Sequence, residues 1–393
     1  MSRIVFAWEL GENHGHLWRL LPIALALQAR GHEVVFGLKS MAAAQRYLAP
    51  HGIRWFACPT PTNVATLGRE IATYADILAT YGATQPDLLG GMVQAWQHLY
   101  ATLQPDLVVI DHAPLALLAA KRAGIGTVQV GTGFTIPPTL SPAPCFRPWE
   151  ASNAEARAQT QVAVERNIQA LFDSPQPLTT LLTADHTRLL TLPELDHYAP
   201  LRPPSTTFLG PVPEPDTGEL VQWQQPDKPH VFVYLQVQPW LDTVLTALEA
   251  SGAEVIAVIP DLSWETANRH RGLRLYRQPV RLLPLLAGCT LAITHAGHGT
   301  ALNCLLAGVP MLLLPQHIEQ LMITERVAAM GAGLGILPAY VETGFHAVLH
   351  DLLGNPKYRN AARTIAVRHH SVPRDRALEE VTGLMEDALA QRR

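Results

Sequence analysis

One rhythm runs through this chain twice, and it constrains the fold more than anything else in the sequence. Over residues 3–38 a short apolar run, RIVFAW, gives way to a loop, ELGENHG. Apolar residues at helical spacing follow as far as Gly31, and then a second apolar run, EVVFGL. Strand, loop, helix, turn and strand in so short a span is the opening of a parallel α/β domain. Pro22 either begins the regular part of the helix or bends its first turn. The alternation continues through GIRWFACP (52–59) and helical material broken by turn residues over 62–103. Next come a strand at 107–110 that ends on Asp111, the helix PLALLAAKRAG and the strand GTVQVGTG. Five prolines within 137–150 predict an irregular loop, 151–172 reads as a helix, and TRLLTLPELDHY adds a strand and turn.

Residues 202–229 are dense in Pro and Gly, and beyond them the rhythm restarts. The predicted order is strand HVFVYLQV, helix 239–251, strand EVIAVIP, strand LRLYRQ, helix VRLLPLLAGC, strand TLAITHAG, helix TALNCLLAG, strand VPMLLLP, helix 318–330 and terminal helices. At 393 residues the chain is long enough for two cores, so two doubly wound domains hinged near 205–229 explain the restart better than one large sheet. The formal net charge of -4, with no dense Lys/Arg run, argues against a nucleic-acid binder. Cys58, Cys145, Cys289 and Cys304 lie far apart without CxxC spacing, which suits reduced thiols in a cytoplasmic protein. Glu9 and Glu12 interrupt the N-terminus too early for a leader peptide, and no run approaches a membrane span. Contact with a membrane surface stays open.

In open parallel sheets, ligands bind beyond the carboxyl ends of the strands. That rule puts ELGENHGH, Asp111, the Gln236–Trp240 loop and HAGHGT on functional rims. In the last of these, Gly297 and Gly299 stand where a strand turns into a helix. Small residues let backbone approach a ligand, and first-turn amides with the helix dipole favour an anion. Thr300 can cap that helix or donate to a phosphate oxygen. A tight turn with Thr300 as its cap explains the same residues. Neither GxxxxGK[ST] nor GxGxxG is present, so the usual nucleotide loops do not apply. His14, His16 and Asp111 carry metal-ligating groups but lack a recognised ligand spacing, and no metal is expected.

HAGHGTALNCLLAGVPMLLLPQHIEQ resembles the donor-binding signature of the GT-B nucleotide-sugar glycosyltransferases, in particular the UDP-glycosyltransferase superfamily (family GT1) and its bacterial macrolide and antibiotic relatives. GHLWRLLPIALALQARGHEVVF resembles that family's opening, and TFLGPV its lead into the second domain. The resemblance implies two facing Rossmann-like parallel α/β domains with an interdomain cleft. It implies an acceptor-binding domain over 1–204, a linker over 205–229 and a donor-binding domain over 230–372, with a final helix in 373–393 packing back on the first. His16 would be the base that activates an acceptor hydroxyl, and Asp111 the acid that orients it. His295, Gly297, His298, Gly299 and Thr300 would surround the donor diphosphate, while Glu319 and Gln320 would reach the sugar hydroxyls. Asn303 stands where the signature carries an acid for the ribose, and Arg277, Gln278 and Val280 stand nearest the residues that frame the base.

The implied activity is inverting transfer from a nucleotide sugar, with uridine favoured over thymidine, to a small hydrophobic or lipid-like acceptor. No cofactor beyond that co-substrate is expected, and the chain would be a monomer or homodimer. A non-catalytic nucleotide- or glycan-binding protein of the same fold stays open, as does a nucleotide-sugar epimerase or hydrolase. The chemistry of the residues agrees with transfer. A His near neutral pKa suits proton removal from an alcohol, a carboxylate on its far nitrogen fixes the tautomer, and a carboxylate–amide pair suits sugar diols.

Overall fold

The computed structural model describes residues 1–11, 14–147, 153–173, 176–213, 218–371, 373 and 375–392. Glu12, parts of the expected loop 137–150, helix 151–172 and linker 205–229, and the ends of the last two expected segments lie outside the described residues. The chain forms two compact units. One comprises Met1–Pro193, Tyr198–Glu214 and Arg374–Arg393, and the other Glu194–His197 and Pro215–Pro373.

The first unit is built on six parallel strands: β1 (Arg3–Trp8), β2 (Glu33–Leu38), β3 (Arg54–Ala57), β4 (Leu107–Ile110), β5 (Gly126–Gly131) and β6 (His186–Leu189). Their order is β3-β2-β1-β4-β5-β6. In β1 and β4 nearly every residue is buried, because helices cover both faces of such a sheet. The order reverses between β1 and β4, which are in register from Ile4↔Leu107 to Ala7↔Ile110. Their carboxyl ends therefore lie side by side. The helix Gly15–Ala29 returns from β1 with Leu17, Leu20, Ile23, Ala24 and Leu27 buried, and Pro22 sits inside it. The last helix, Arg376–Ala390, joins the same core through Ala377, Val381, Met385, Ala388 and Leu389.

The second unit repeats the design with β7 (His230–Tyr234), β8 (Glu254–Val258), β9 (Arg274–Tyr276), β10 (Leu291–Thr294), β11 (Met311–Leu313) and β12 (Gly333–Gly335). These too are parallel, in the order β12-β11-β10-β7-β8-β9. Here the reversal falls between β7 and β10, with Thr294 opposite Tyr234. Both units are thus Rossmann-like sheets with one switch point each.

Several elements fall outside the sequence reading, among them the helices Met41–Tyr47, Leu178–Leu181 and Trp264–Arg269, and β12, whose sequence GLG carries no apolar run. The helix expected at VRLLPLLAGC is only Leu282–Leu286. Part of the Pro-rich stretch is firmly held on the second unit. Buried Glu254 accepts hydrogen bonds from the backbone of Gln224 (2.9 Å) and Gln225 (2.8 Å), and Trp223 Nε1 donates to Leu285 O (3.0 Å). Among the described residues, no helix is long and apolar enough to cross a membrane.

Candidate active site

The first switch point holds a charged cluster. Asp111 follows β4 directly, and its N–H donates to Ala7 O at 3.0 Å, which extends the strand pairing by one residue. Its carboxylate is fully buried and meets two side chains of helix Gly15–Ala29. His16 Nδ1 lies 3.0 Å from Oδ1, and Arg19 Nη1 donates to Oδ2 at 2.7 Å. His16 and Arg19 are three residues apart on a helix and so share a face. Burial pushes the Asp111 carboxyl up, but Arg19 and then His16 outweigh it and hold the group below the usual carboxylate range. With Nδ1 given to the carboxylate, His16 presents Nε2 as its remaining ring nitrogen.

Three neighbours fix the imidazole. Trp8 stacks on it with ring centroids 5.4 Å apart, and His112 lies 5.7 Å away on the other strand end. Gly11 has φ +84°, and a Cβ at that position would come within 2.7 Å of His16 Nε2. Glycine is needed there twice over, for the left-handed backbone and for access to the nitrogen. His112 itself is pushed down to about 3 by burial and by the neighbouring His16, so it is a neutral ring. Glu9, at the end of β1, accepts N–H bonds from Leu115 (2.9 Å) and Ala116 (2.7 Å) at the start of helix Pro114–Arg122. Burial pushes its carboxyl up to about 8, against the lowering effect of those two backbone bonds. Glu9 and Gly11 lie in the rim segment ELGENHGH marked from the sequence but were given no role there, and Arg19 was passed over. His14 packs its ring edge-on against Tyr47, 5.3 Å between centroids. Among the described residues no group of three or more His, Cys, Asp or Glu is placed to hold a metal.

The second switch point is organised around backbone. Gly297 is the N-cap of helix His298–Leu306 and has no side-chain cap, so Thr300 sits within the first turn rather than at the cap. Ala301 N closes the first intrahelical bond to Gly297 O at 3.0 Å, and the amides of Gly299 and Thr300 precede it. His295, expected beside the diphosphate, is engaged on both sides. Nδ1 is 3.0 Å from Leu314 O, and Nε2 accepts from Gln236 N at 2.6 Å. The carbonyl requires a proton on Nδ1 and the amide a lone pair on Nε2, so the ring is a neutral clasp between the ends of β7, β10 and β11. It has no spare N–H for a phosphate. Burial also holds its pKa below the ordinary histidine value.

Several other expected donor contacts are partly committed. Asn303 turns its amide nitrogen back to Gly299 O at 3.0 Å, which commits one of its two N–H donors. Gln320 Oε1 accepts from Gln316 N–H at 2.7 Å. Glu319 lies half-buried in the first turn of helix Ile318–Ala329. The Val280 side chain is buried and its backbone pairs with Glu219 of the Pro-rich stretch. Gln278 is exposed. The Arg277 guanidinium lies 3.7 Å from the ring centroid of Trp264, an indole that is 75% exposed.

Comparison with known proteins places this geometry. The family described as Erythromycin biosynthesis protein CIII-like, C-terminal domain, matches residues 242–386. L-demethylnoviosyl transferase of Streptomyces niveus is 28% identical over 345 residues, covering 82% of each chain. Elloramycin glycosyltransferase ElmGT of Streptomyces olivaceus is 26% identical over 388 residues, covering 91% of each. The structure of the calicheamicin glycosyltransferase CalG4 superposes with a TM-score of 0.75 at 20% identity, over 99% of this chain and 98% of that one.

The expectation of uridine over thymidine is overturned. Related structures of the glycosyltransferase VinC, of SsfS6 from Streptomyces sp. SF2575 and of the spinosyn rhamnosyltransferase SpnG are complexes with thymidine diphosphate, at TM-scores of 0.69, 0.65 and 0.67. Nothing in the donor rim described above selects uridine. Two Rossmann-like sheets with one switch point each, together with these relatives, give the chain a GT-B fold and relate it to the bacterial antibiotic and macrolide glycosyltransferases.

Proposed function

We propose that the chain is an inverting transferase that moves a sugar from a dTDP-sugar to a hydroxyl of a small acceptor. The observation that carries this reading is the buried His16–Asp111 hydrogen bond at the first switch point. Asp111 holds the proton on Nδ1 and leaves the Nε2 lone pair to accept the acceptor's hydroxyl proton. As that proton moves to Nε2, the acceptor oxygen bonds to the anomeric carbon. The bond from that carbon to the diphosphate oxygen breaks, and its electron pair leaves with dTDP. One direct displacement inverts the anomeric centre. Residues 1–204 would bind the acceptor and 230–372 the donor.

The leaving diphosphate gains negative charge. The amides of Gly299 and Thr300 and the positive end of helix His298–Leu306 are suited to receive it. Glu319 and the amide nitrogen of Gln320 would take the sugar hydroxyls, as acceptor and donor respectively.

The test uses the purified full chain with matched dTDP- and UDP-hexoses and a panel of alcohol and phenol acceptors, with the product anomer read by NMR. The expected result is faster transfer from the dTDP-sugar with inversion, whereas retention or a UDP preference would refute the reading. In the same assay His16→Ala should lower turnover about a hundredfold or more while dTDP binding in calorimetry is unchanged. Near-normal turnover of that variant would remove the mechanism.

A further inference from the structure

The Asp111 carboxylate has two oxygens, and only one faces His16. The other is taken by Arg19 Nη1 at 2.7 Å, from a side chain 13% exposed, on a carboxylate with no exposure at all. A His–carboxylate pair needs no second cation to fix the tautomer, so the guanidinium calls for its own explanation.

Charge counting supplies one. When a histidine paired with a lone carboxylate takes a proton, an ion pair forms and the imidazolium is stabilised, so the base tends to be protonated before it is needed. With Arg19 on the same carboxylate, that negative charge is already matched. Protonating His16 then leaves the trio with a net positive charge in a buried place. The trio is neutral in the state that accepts a proton and cationic only after accepting it.

The remaining groups around the ring do not restore the balance. His112, beyond His16 on the β4 side, is a neutral ring, and Lys39 near it adds positive charge. Glu9 at the β1 end is held largely protonated at neutral pH by burial, and the Tyr74 hydroxyl is kept un-ionised by burial and by Glu9.

We propose that Arg19 is a third member of the proton-transfer group, a positioning residue that locks the Asp111 carboxylate against His16 and sets the lower edge of the pH range in which His16 is a competent base. This rests on the role given to His16 under the proposed function. The two are separable because the charge coupling is measurable without turnover.

The experiment is a pH titration of the His16 ring signals by NMR on the full chain labelled with carbon-13 histidine, with the signals assigned by their loss in His16→Ala. Arg19→Gln should raise the titration midpoint by about one pH unit, the usual scale for removing a neighbouring charge. Arg19→Lys, which keeps the charge, should leave the midpoint near that of the wild type. Binding of dTDP, measured by calorimetry, should be the same in all three proteins.

An unmoved midpoint in Arg19→Gln would overturn the proposal, and a lower melting temperature alongside it would make Arg19 a structural ion pair only. Should Arg19→Gln fail to fold alone, the Asp111→Asn background decides. There His16 faces an uncompensated guanidinium, and adding Arg19→Gln should raise the midpoint. No rise in the double variant would also overturn the proposal. A normal midpoint shift with full activity in His16→Ala would instead retire the mechanism and leave the coupling intact.

Discussion

The two switch points occupy the same place in the same topology and do opposite things with a histidine. His16, after β1, is held from one side by a carboxylate and keeps Nε2 for chemistry. His295, after β10, is held from both sides by backbone, at 3.0 and 2.6 Å, and keeps nothing. One rim exposes a side-chain base while the other exposes amides. Topology fixes where a site forms, and the partners of each ring decide whether it reacts or braces.

Two glycines break the comparison most sharply. At the first rim, Gly11 combines φ +84° with a Cβ position 2.7 Å from His16 Nε2, whereas a Cβ on Gly297 at the second meets nothing within 4 Å. Gly11→Ala should therefore lower turnover by at least about tenfold, because a displaced or covered base loses its attack geometry. Gly297→Ala should leave the melting temperature near that of the wild type. Equal kcat in Gly11→Ala and the wild type would contradict the role given to that backbone.

A smaller effect should follow from removing the clasp. His295→Ala leaves Gln236 N–H and Leu314 C=O without their partner, at a cost of about 1–3 kcal/mol, the usual penalty for such groups. The loss should appear in the stability of the second unit and in dTDP affinity, while the pH profile set at the first rim stays put. A variant of normal stability that loses only dTDP binding would show the ring touching phosphate after all, and would undo the contrast.

Much of this was legible in the sequence, for a physical reason. Parallel strands covered on both faces are written as short apolar runs, and β1, β2, β4, β7, β8 and β10 stand close to where such runs occur. The carboxyl-end rule then put His16 and Asp111 on one rim. What stayed hidden depends on pairs remote in sequence. Arg19 reads as an ordinary helix charge until Asp111 arrives from 92 residues away. His295 beside glycines reads as a ligand until β7 pairs with β10 and brings Gln236 N within 2.6 Å. Glu9 sits in the rim segment ELGENHGH, but nothing local shows that Leu115 N and Ala116 N will meet it, and β12, with its sequence GLG, has nothing for a pattern to catch.

Glu9 and Glu254 extend the comparison from histidines to carboxylates. Each is buried and each accepts backbone N–H bonds, but Arg274 stands 2.8 Å from Glu254 and, among the described residues, no cation is bonded to Glu9. Burial raises both, and only for Glu254 do the backbone bonds from Gln224 and Gln225, with Arg274, carry the group below its usual value. For Glu9 the folded protein binds more protons than the unfolded chain between 4.5 and about 8, so its contribution to stability falls as pH rises through that window. For Glu254 the sign is reversed, and its contribution is lost on acidification. Relative to Glu9→Gln, the melting temperature of the wild type should therefore drop as pH is raised towards 8. A difference that stays constant with pH would mean that Glu9 is ionised throughout.

The smallest effect belongs to the two arginines. Arg19 is tied to a carboxylate with no solvent exposure, whereas Arg277 rests on an indole that is 75% exposed, its guanidinium carbon 3.7 Å from the ring centroid. A cation–π contact this open to water is worth about 0.5–1 kcal/mol, which is about two- to fivefold in an equilibrium constant. Trp264→Ala should weaken dTDP binding by no more than that, through a guanidinium that has lost its platform, and should leave kcat at saturating donor unchanged. Calorimetry with dTDP alone reads the first quantity and initial rates read the second. A tenfold or greater loss of affinity would mean that the indole meets the nucleotide directly, and the second rim would then read its base through an aromatic face as well as through backbone.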